Sequence, residues 1–198
     1  QNVTLGHVED FEGGALAGWV HPAGSPTEPV IATDGMGNSY LTFGSSGPGF
    51  AAGSRLAMVS DHEDWTGDYS AQGIEFFRMD VANRGTNALN LRMVLETTLP
   101  DRVASLAPVN VPADGLWYTV DFPIAPADLV VVSGVAPALA VLGDVQSIRL
   151  ISSAAPSHKG DEIVATLDVD NMAVLATPPD GDLDGIPDDT DNCPLVPN

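Results

Sequence analysis

Glu75-Phe76-Phe77-Arg78-Met79-Asp80-Val81 is the stretch that decides the fold class of this chain. Phe77, Met79 and Val81 fall on one side of an extended backbone, and Phe76, Arg78 and Asp80 fall on the other. A period of two marks a strand with one buried and one wet face. The pattern returns in Leu89-Asn90-Leu91-Arg92-Met93-Val94-Leu95, where the leucines and Met93 point in while Asn90 and Arg92 point out. It returns again over 116–122, with Leu116, Tyr118, Val120 and Phe122 pointing in and Trp117, Thr119 and Asp121 pointing out. Two packed antiparallel sheets satisfy all three segments, so the expected fold is an all-β, two-sheet antiparallel sandwich.

Working outward, Gly (20) and Pro (16) punctuate short apolar segments throughout, and helix signals are nearly absent. Further strands are expected at 8–11, 19–20, 30–32, 40–43, 56–60, 105–109, 147–151 and 163–174, with the first two segments above extended to 74–81 and 89–96. The longest apolar stretch, 129–142, is broken by Ser133, Gly134 and Pro137 and reads as a loop and strand ends. It falls short of the roughly 20 residues a membrane helix needs, so membrane insertion is not expected. With 198 residues and 44% hydrophobic residues, the chain can bury one good-sized core and carry a small appendage.

The formal charge is −20, from 27 acids against seven Lys plus Arg. Such a surface repels nucleic acid and anionic membranes, and it suits a protein that holds divalent cations or lives in salt. Lys159 is the only lysine, which reads as a habitat bias. The start at Gln1 fits a processed secreted chain or a trimmed one, and Asn2-Val3-Thr4 is a glycosylation sequon. A secreted or cell-surface location is expected. The single cysteine, Cys193, suggests a partner elsewhere, expected downstream in a longer protein.

Composition changes at Ala176-Thr177-Pro178-Pro179. This places a sandwich over 1–176, a linker over 177–179 and a tail over 180–198. Removing the six tail aspartates from the total of −20 leaves the sandwich at −14, so both parts are acidic. In the tail, Asp180, Asp182, Asp184, Asp188 and Asp191 occupy positions 1, 3, 5, 9 and 12 of a twelve-residue loop with Gly185 at position 6. That is calcium-loop spacing: a hard cation takes six to eight oxygens, alternate residues of a tight loop turn theirs inward, and the Ile186 carbonyl can supply the seventh position. Position 12 is Asp191 where Glu is usual.

No long helices flank this loop, and with Asp191-Asn192-Cys193-Pro194 following, the segment resembles a thrombospondin type 3 repeat. The resemblance implies bound Ca²⁺, a disulfide from Cys193 to a neighbouring repeat, and downstream repeats of the same protein as partners. The sandwich carries a second resemblance. Asp10-Phe11-Glu12-Gly13-Gly14 with Leu16-Ala17-Gly18-Trp19, Asp34–Leu41, Gly115–Val120 and Leu167-Asp168-Val169-Asp170-Asn171-Met172 resemble the galactose-binding-like jelly-roll sandwiches, which include many carbohydrate-binding modules and laminin-B-like domains. Asp64-Trp65-Thr66-Gly67-Asp68-Tyr69 is closer to the laminin-B-like branch. The resemblance implies a structural calcium joining the first strand to the last through Glu12 and Asp170, with Asp10 as a further candidate.

A ligand face needs exposed aromatics and planar donors. Outward strand positions supply Arg78, Asn90, Arg92, Trp117 and Arg149, which would suit an acidic polysaccharide. Paired surface arginines and a Trp117 packed under a loop would satisfy the same pattern. Catalysis has little to stand on. His7, His21, His62 and His158 are isolated, and no metal-binding His pair or Gly-x-Ser-x-Gly elbow occurs. The expected function is a non-catalytic, calcium-stabilised carbohydrate-binding module of a larger protein. The alternatives are a structural or adhesion domain on a calcium-stiffened stalk and, less well supported, a lyase or hydrolase.

Overall fold

A computed structural model describes residues 2–22, 28–49, 53–98 and 100–176. Two sheets pack face to face. The first runs β2 (Val30–Thr33), β3 (Ser39–Ser46), β12 (Val164–Leu175), β5 (Phe76–Asn83) and β9 (Trp117–Pro123), and β1 (Val8–Glu9) also pairs with β12. The second runs β10 (Leu129–Ser133), β7 (Arg102–Ser105), β6 (Leu89–Glu96), β11 (Ser147–Ser152) and β4 (Ala57–Ser60), and β8 (Val109–Val111) also pairs with β6. All these pairings are antiparallel.

The alternation read from β5 and β6 sets the core. Phe77, Met79 and Val81 are buried opposite Phe122, Val120 and Tyr118 of β9. Leu89, Leu91, Met93 and Leu95 meet them from the second sheet. On β12 the parity breaks. Leu167 and Val169 face inward, but so do Met172 and Val174, because the pairing with β5 shifts register between Asp170 and Ala173. Asn171 supplies the extra residue in a left-handed conformation, φ 49°, which an asparagine tolerates.

Three expectations are corrected. Leu116 is 60% exposed, because the Asp114 carboxylate accepts its backbone N–H and closes a turn before β9 begins. The segment expected at 105–109 is two strands, β7 and β8, both on β6. The stretch 129–142 holds a full strand, β10, and a short helix α2 (Ala138–Leu142) that buries Val141 and Leu142. Among the described residues no helix is long and apolar enough to cross a membrane.

The largest buried rings gather around Trp65. This residue ends a 3₁₀ turn, Glu63–Trp65, just before the helix α1 (Tyr69–Gln72). Its ring centroid lies 6.1 Å from Trp19 and 6.3 Å from Phe77. The Tyr69 hydroxyl donates to the Trp65 carbonyl at 2.8 Å. Trp65→Ala should therefore cost about 3–5 kcal/mol, and Leu116→Ala should stay within about 0.5 kcal/mol. Urea denaturation of the two variants checks the contrast.

Candidate functional site

The outer face of the second sheet is not open to solvent as its polar pattern implied. Arg92 points away from the inter-sheet core, yet it is only 2% exposed. Its Nε donates to the Ser153 carbonyl at 2.9 Å and its Nη2 to the Ala154 carbonyl at 2.8 Å. Its Nη1 donates to the carbonyls of Ser105 and Leu106 at 2.7 and 2.8 Å. Every arm of the guanidinium is thus spent on backbone. This corrects the expectation that Arg92 meets a ligand: it fastens the β11–β12 loop across the sheet. Val94, Ala104, Ile151 and Ala57 form a small apolar cluster on the same face. Gly160 has no room for a side chain, since a Cβ would lie 2.5 Å from the Leu56 carbonyl oxygen.

Next to this cover is a cavity of about 280 Å³, walled by His21, Arg55, Arg149, His158 and Lys159. Arg149 and Arg102 both pair with the buried carboxylate of Glu96. Arg55 pairs with Glu162 at 3.2 Å. Among the described residues Lys159 makes no ion pair and is exposed. Burial holds His158 below its usual pKa, and the cations of Arg102, Lys159 and Arg149 act in the same direction. Five of the seven cationic side chains, Arg55, Arg92, Arg102, Arg149 and Lys159, therefore sit on this face. Asn90 lies on it too, half-buried on β6 opposite Asn110 of β8.

The outer face of the first sheet carries Arg78 and Trp117. Arg78 forms a two-pronged pair with Asp121, at 2.8 and 3.0 Å. Trp117 is 42% exposed. Its ring packs edge-on to Tyr40, with centroids 5.6 Å apart, and the Arg84 guanidinium lies 5.4 Å from the ring centroid. Arg84 is in turn held by Asp168 at 2.7 Å. The predicted ligand set is therefore divided. Arg78 and Trp117 lie on one outer face, while Asn90, Arg92 and Arg149 lie on the opposite one. Sequence reasoning missed Arg84, Tyr40, Arg55, Lys159 and His158 as site residues. The alternation around Leu41 places Tyr40 outward and could have found it.

Near the start of the chain, Glu12 accepts the Ser39 N–H at 2.8 Å, and Asp170 accepts from the Asn38 amide at 3.1 Å. The pair thus converges on Asn38–Ser39. Burial raises the Asp170 pKa, and the nearby carboxylates of Asp80 and Glu12 add to the rise. Asp10 does not join them, since its carboxylate accepts the Glu12 N–H in a local turn. Among the described residues no three His, Cys, Asp or Glu gather as a metal centre. The aspartate loop of Asp180, Asp182, Asp184, Ile186, Asp188 and Asp191, and Cys193, lie outside the described residues.

No family model and no curated protein matches the chain. Solved structures do match. A family 11 carbohydrate-binding module from Clostridium thermocellum, solved with a β-1,3-1,4-mixed-linked tetrasaccharide, aligns with a TM-score of 0.57 at 13% identity, over 87% of this chain and 97% of that one. A family 28 module specific for non-crystalline cellulose aligns with a TM-score of 0.57 at 14% identity, over 89% and 98%. An exo-β-agarase aligns with a TM-score of 0.60 at 12% identity, over 87% of this chain but 26% of the enzyme. The fold is theirs. At these identities the likeness speaks to the fold, and the ligand has to be argued from this chain's own faces.

Arg92→Ala leaves four carbonyls without this donor, those of Ser153 and Ser105 in buried bonds, and each buried unmet group costs about 1–3 kcal/mol. We expect a loss of at least about 3 kcal/mol in chemical denaturation. Arg92→Lys should recover little of it, because an ammonium cannot reproduce the fork.

Proposed function

We propose that the protein is a non-catalytic polysaccharide-binding module of a secreted or cell-surface protein, and that an acidic sugar occupies the cavity on the outer face of the second sheet. The observation that supports this is the placement of charge. A chain of net charge −20 gathers five of its seven cations on one face, around a cavity of about 280 Å³. Four carboxylates, Glu96, Asp161, Glu162 and Glu28, sit among them, so the five cations leave the face with a local surplus of one positive charge. An anionic polymer repelled at long range needs such a short-range cluster of donors to hold it. Solved modules of this fold that carry a mixed-linked tetrasaccharide or recognise the neutral glucan cellulose support a polysaccharide as ligand, and its acidity is argued from the placement of charge alone.

Lys159 supplies the charge that no carboxylate already holds, and Arg149, Arg55 and His158 line the wall beside it. Binding requires no bond to form or break. An anion in the cavity would leave the larger part of the His158 depression, which is due to burial, and offset the part that comes from Arg102, Lys159 and Arg149, so binding favours uptake of a proton. Because the free His158 lies below its usual value of 6.5, affinity should rise as pH falls through and below about 6.5. Affinity electrophoresis against alginate and pectin tests the reading. The native protein should be retarded, and Lys159→Ala should weaken binding about fivefold to tenfold with an unchanged melting temperature. Retardation insensitive to Lys159→Ala and Arg55→Ala would overturn the site. Silence with every polymer would favour the structural or adhesion reading.

Two calcium sites complete the proposal. One joins Glu12 to Asp170 beside Asn38, and the other is the aspartate loop of the tail. The first fits the electrostatics: Asp170 is raised by burial and by its acidic neighbours, Asp80 and Glu12. A raised carboxylate destabilises the fold as pH climbs from its unfolded value through its folded one, and a bound cation removes that cost. Calcium should thus raise the melting temperature of the native protein at neutral pH and leave Asp170→Asn nearly unmoved. In calorimetry, Asp182→Ala with Asp184→Ala should lose one site and Asp170→Asn the other. Identical melting of the native protein in calcium and in chelator would refute the first site.

A further inference from the structure

The second outer face has a different chemistry. On the first sheet, Trp117 stands at the start of β9 opposite Ala82 of β5, whose methyl leaves room for the indole above it. Tyr40 reaches the indole from β3 with its ring turned 80° to it. Arg84 lies against the ring while its Nε donates to Asp168. Its Nη1 donates to the Gly115 carbonyl. The exposed indole is therefore held in one orientation by three neighbours, as a stacking surface requires.

On the same face lie Asp80 and Asp121, with the buried carboxylates of Asp168 and Asp170 beneath them, against the cations Arg78 and Arg84. Four carboxylates against two guanidinium groups leave the face with net negative charge, and Asp80 and Asp121 are the acceptors nearest solvent. The face repels uronates and sulfates, and it welcomes hydroxyl groups that donate. Asp80 and Asp121 already accept from Thr119 and Arg78, which fixes their direction along the strand beside the ring.

We propose that this face is a second, independent glycan site, selective for neutral sugars, in which Trp117 stacks against a pyranose ring and the flanking aspartates accept its hydroxyls. It rests on the reading of the chain as a polysaccharide-binding module but not on the cationic cavity, which faces the other way. Two faces of opposite charge give the module two classes of ligand.

Trp19 and Trp65 are fully buried, so Trp117 is the tryptophan that acrylamide can reach in the described residues. The full chain is titrated with a soluble neutral β-glucan, a soluble neutral galactan and alginate, and quenching is followed together with affinity electrophoresis. At least one neutral polymer should protect Trp117 from acrylamide, and alginate should not. Trp117→Ala should weaken retardation by that polymer at least tenfold and leave alginate retardation unchanged, while Lys159→Ala should do the reverse. The melting temperature of Trp117→Ala, expected to match that of the native protein because the ring is 42% exposed, guards against a folding defect. No protection by either neutral polymer overturns the second site, as does retardation by a neutral polymer that survives Trp117→Ala. Protection that grows with protein concentration without sugar also overturns it, because a second copy of the chain would then cover the face. Loss of alginate binding alone would instead count against the cationic cavity.

Discussion

A guanidinium hydrogen-bonded to four backbone carbonyls, with the charge of Asp161 nearby, is buried under a loop and holds the second sheet's outer face together. Arg92 is desolvated and partnered by carbonyl dipoles from two separate segments, Ser105–Leu106 and Ser153–Ala154. A buried charge is costly unless each of its donors is met. The requirement works in both directions. The loop must stay over the sheet to solvate Arg92, and Arg92 must be present for the loop's carbonyls to be satisfied. Gly160, the His158 contact to the Val132 carbonyl and the walls of the cavity all inherit their positions from that fastening.

Charge on this molecule is sorted by sheet. Glu96 is shared by Arg102 and Arg149, so two cations are held with one carboxylate and the surplus stays positive. Across the sandwich, Arg78 and Arg84 each hold one aspartate while further aspartates line the same face, and the surplus is negative. A net charge of −20 describes neither face. Averaging over the surface hides the local fields that decide which polymer each face would accept.

The fold was legible where side-chain period and burial agree. Phe77, Met79 and Val81 on β5, and Leu89 to Leu95 on β6, could be assigned to the core because strand geometry alone fixes which side they take. The same reasoning placed Trp117, Arg78 and Arg149 outward correctly. It could not tell an outward residue from an exposed one. Arg92 is covered by a loop some sixty residues further along the chain, and no local pattern carries that distance. Nor could it see that outward means opposite directions for residues on different sheets, which is why Arg92 and Trp117 looked like one site. Arg84 follows the last residue of β5 and gains its place only through the pairing of Ala82 with Trp117. Met172 and Val174 face the core only because of the extra residue at Asn171, a shift of parity that a plain alternation does not foretell. Lys159, read as a bias of composition, belongs to the cavity wall.

The sorting of charge between the two sheets has a consequence for approach as well as for contact. A sandwich with one positive and one negative broad face is an electric dipole with its moment across its thin dimension. Near a charged fibre or wall it feels a torque before it touches anything, and the torque acts within about a Debye length, roughly 8–10 Å at ordinary ionic strength. A polyanionic surface would turn the cationic face toward itself and leave the aromatic face looking outward. The module would then settle as an oriented layer, with every copy presenting the same side to the solution.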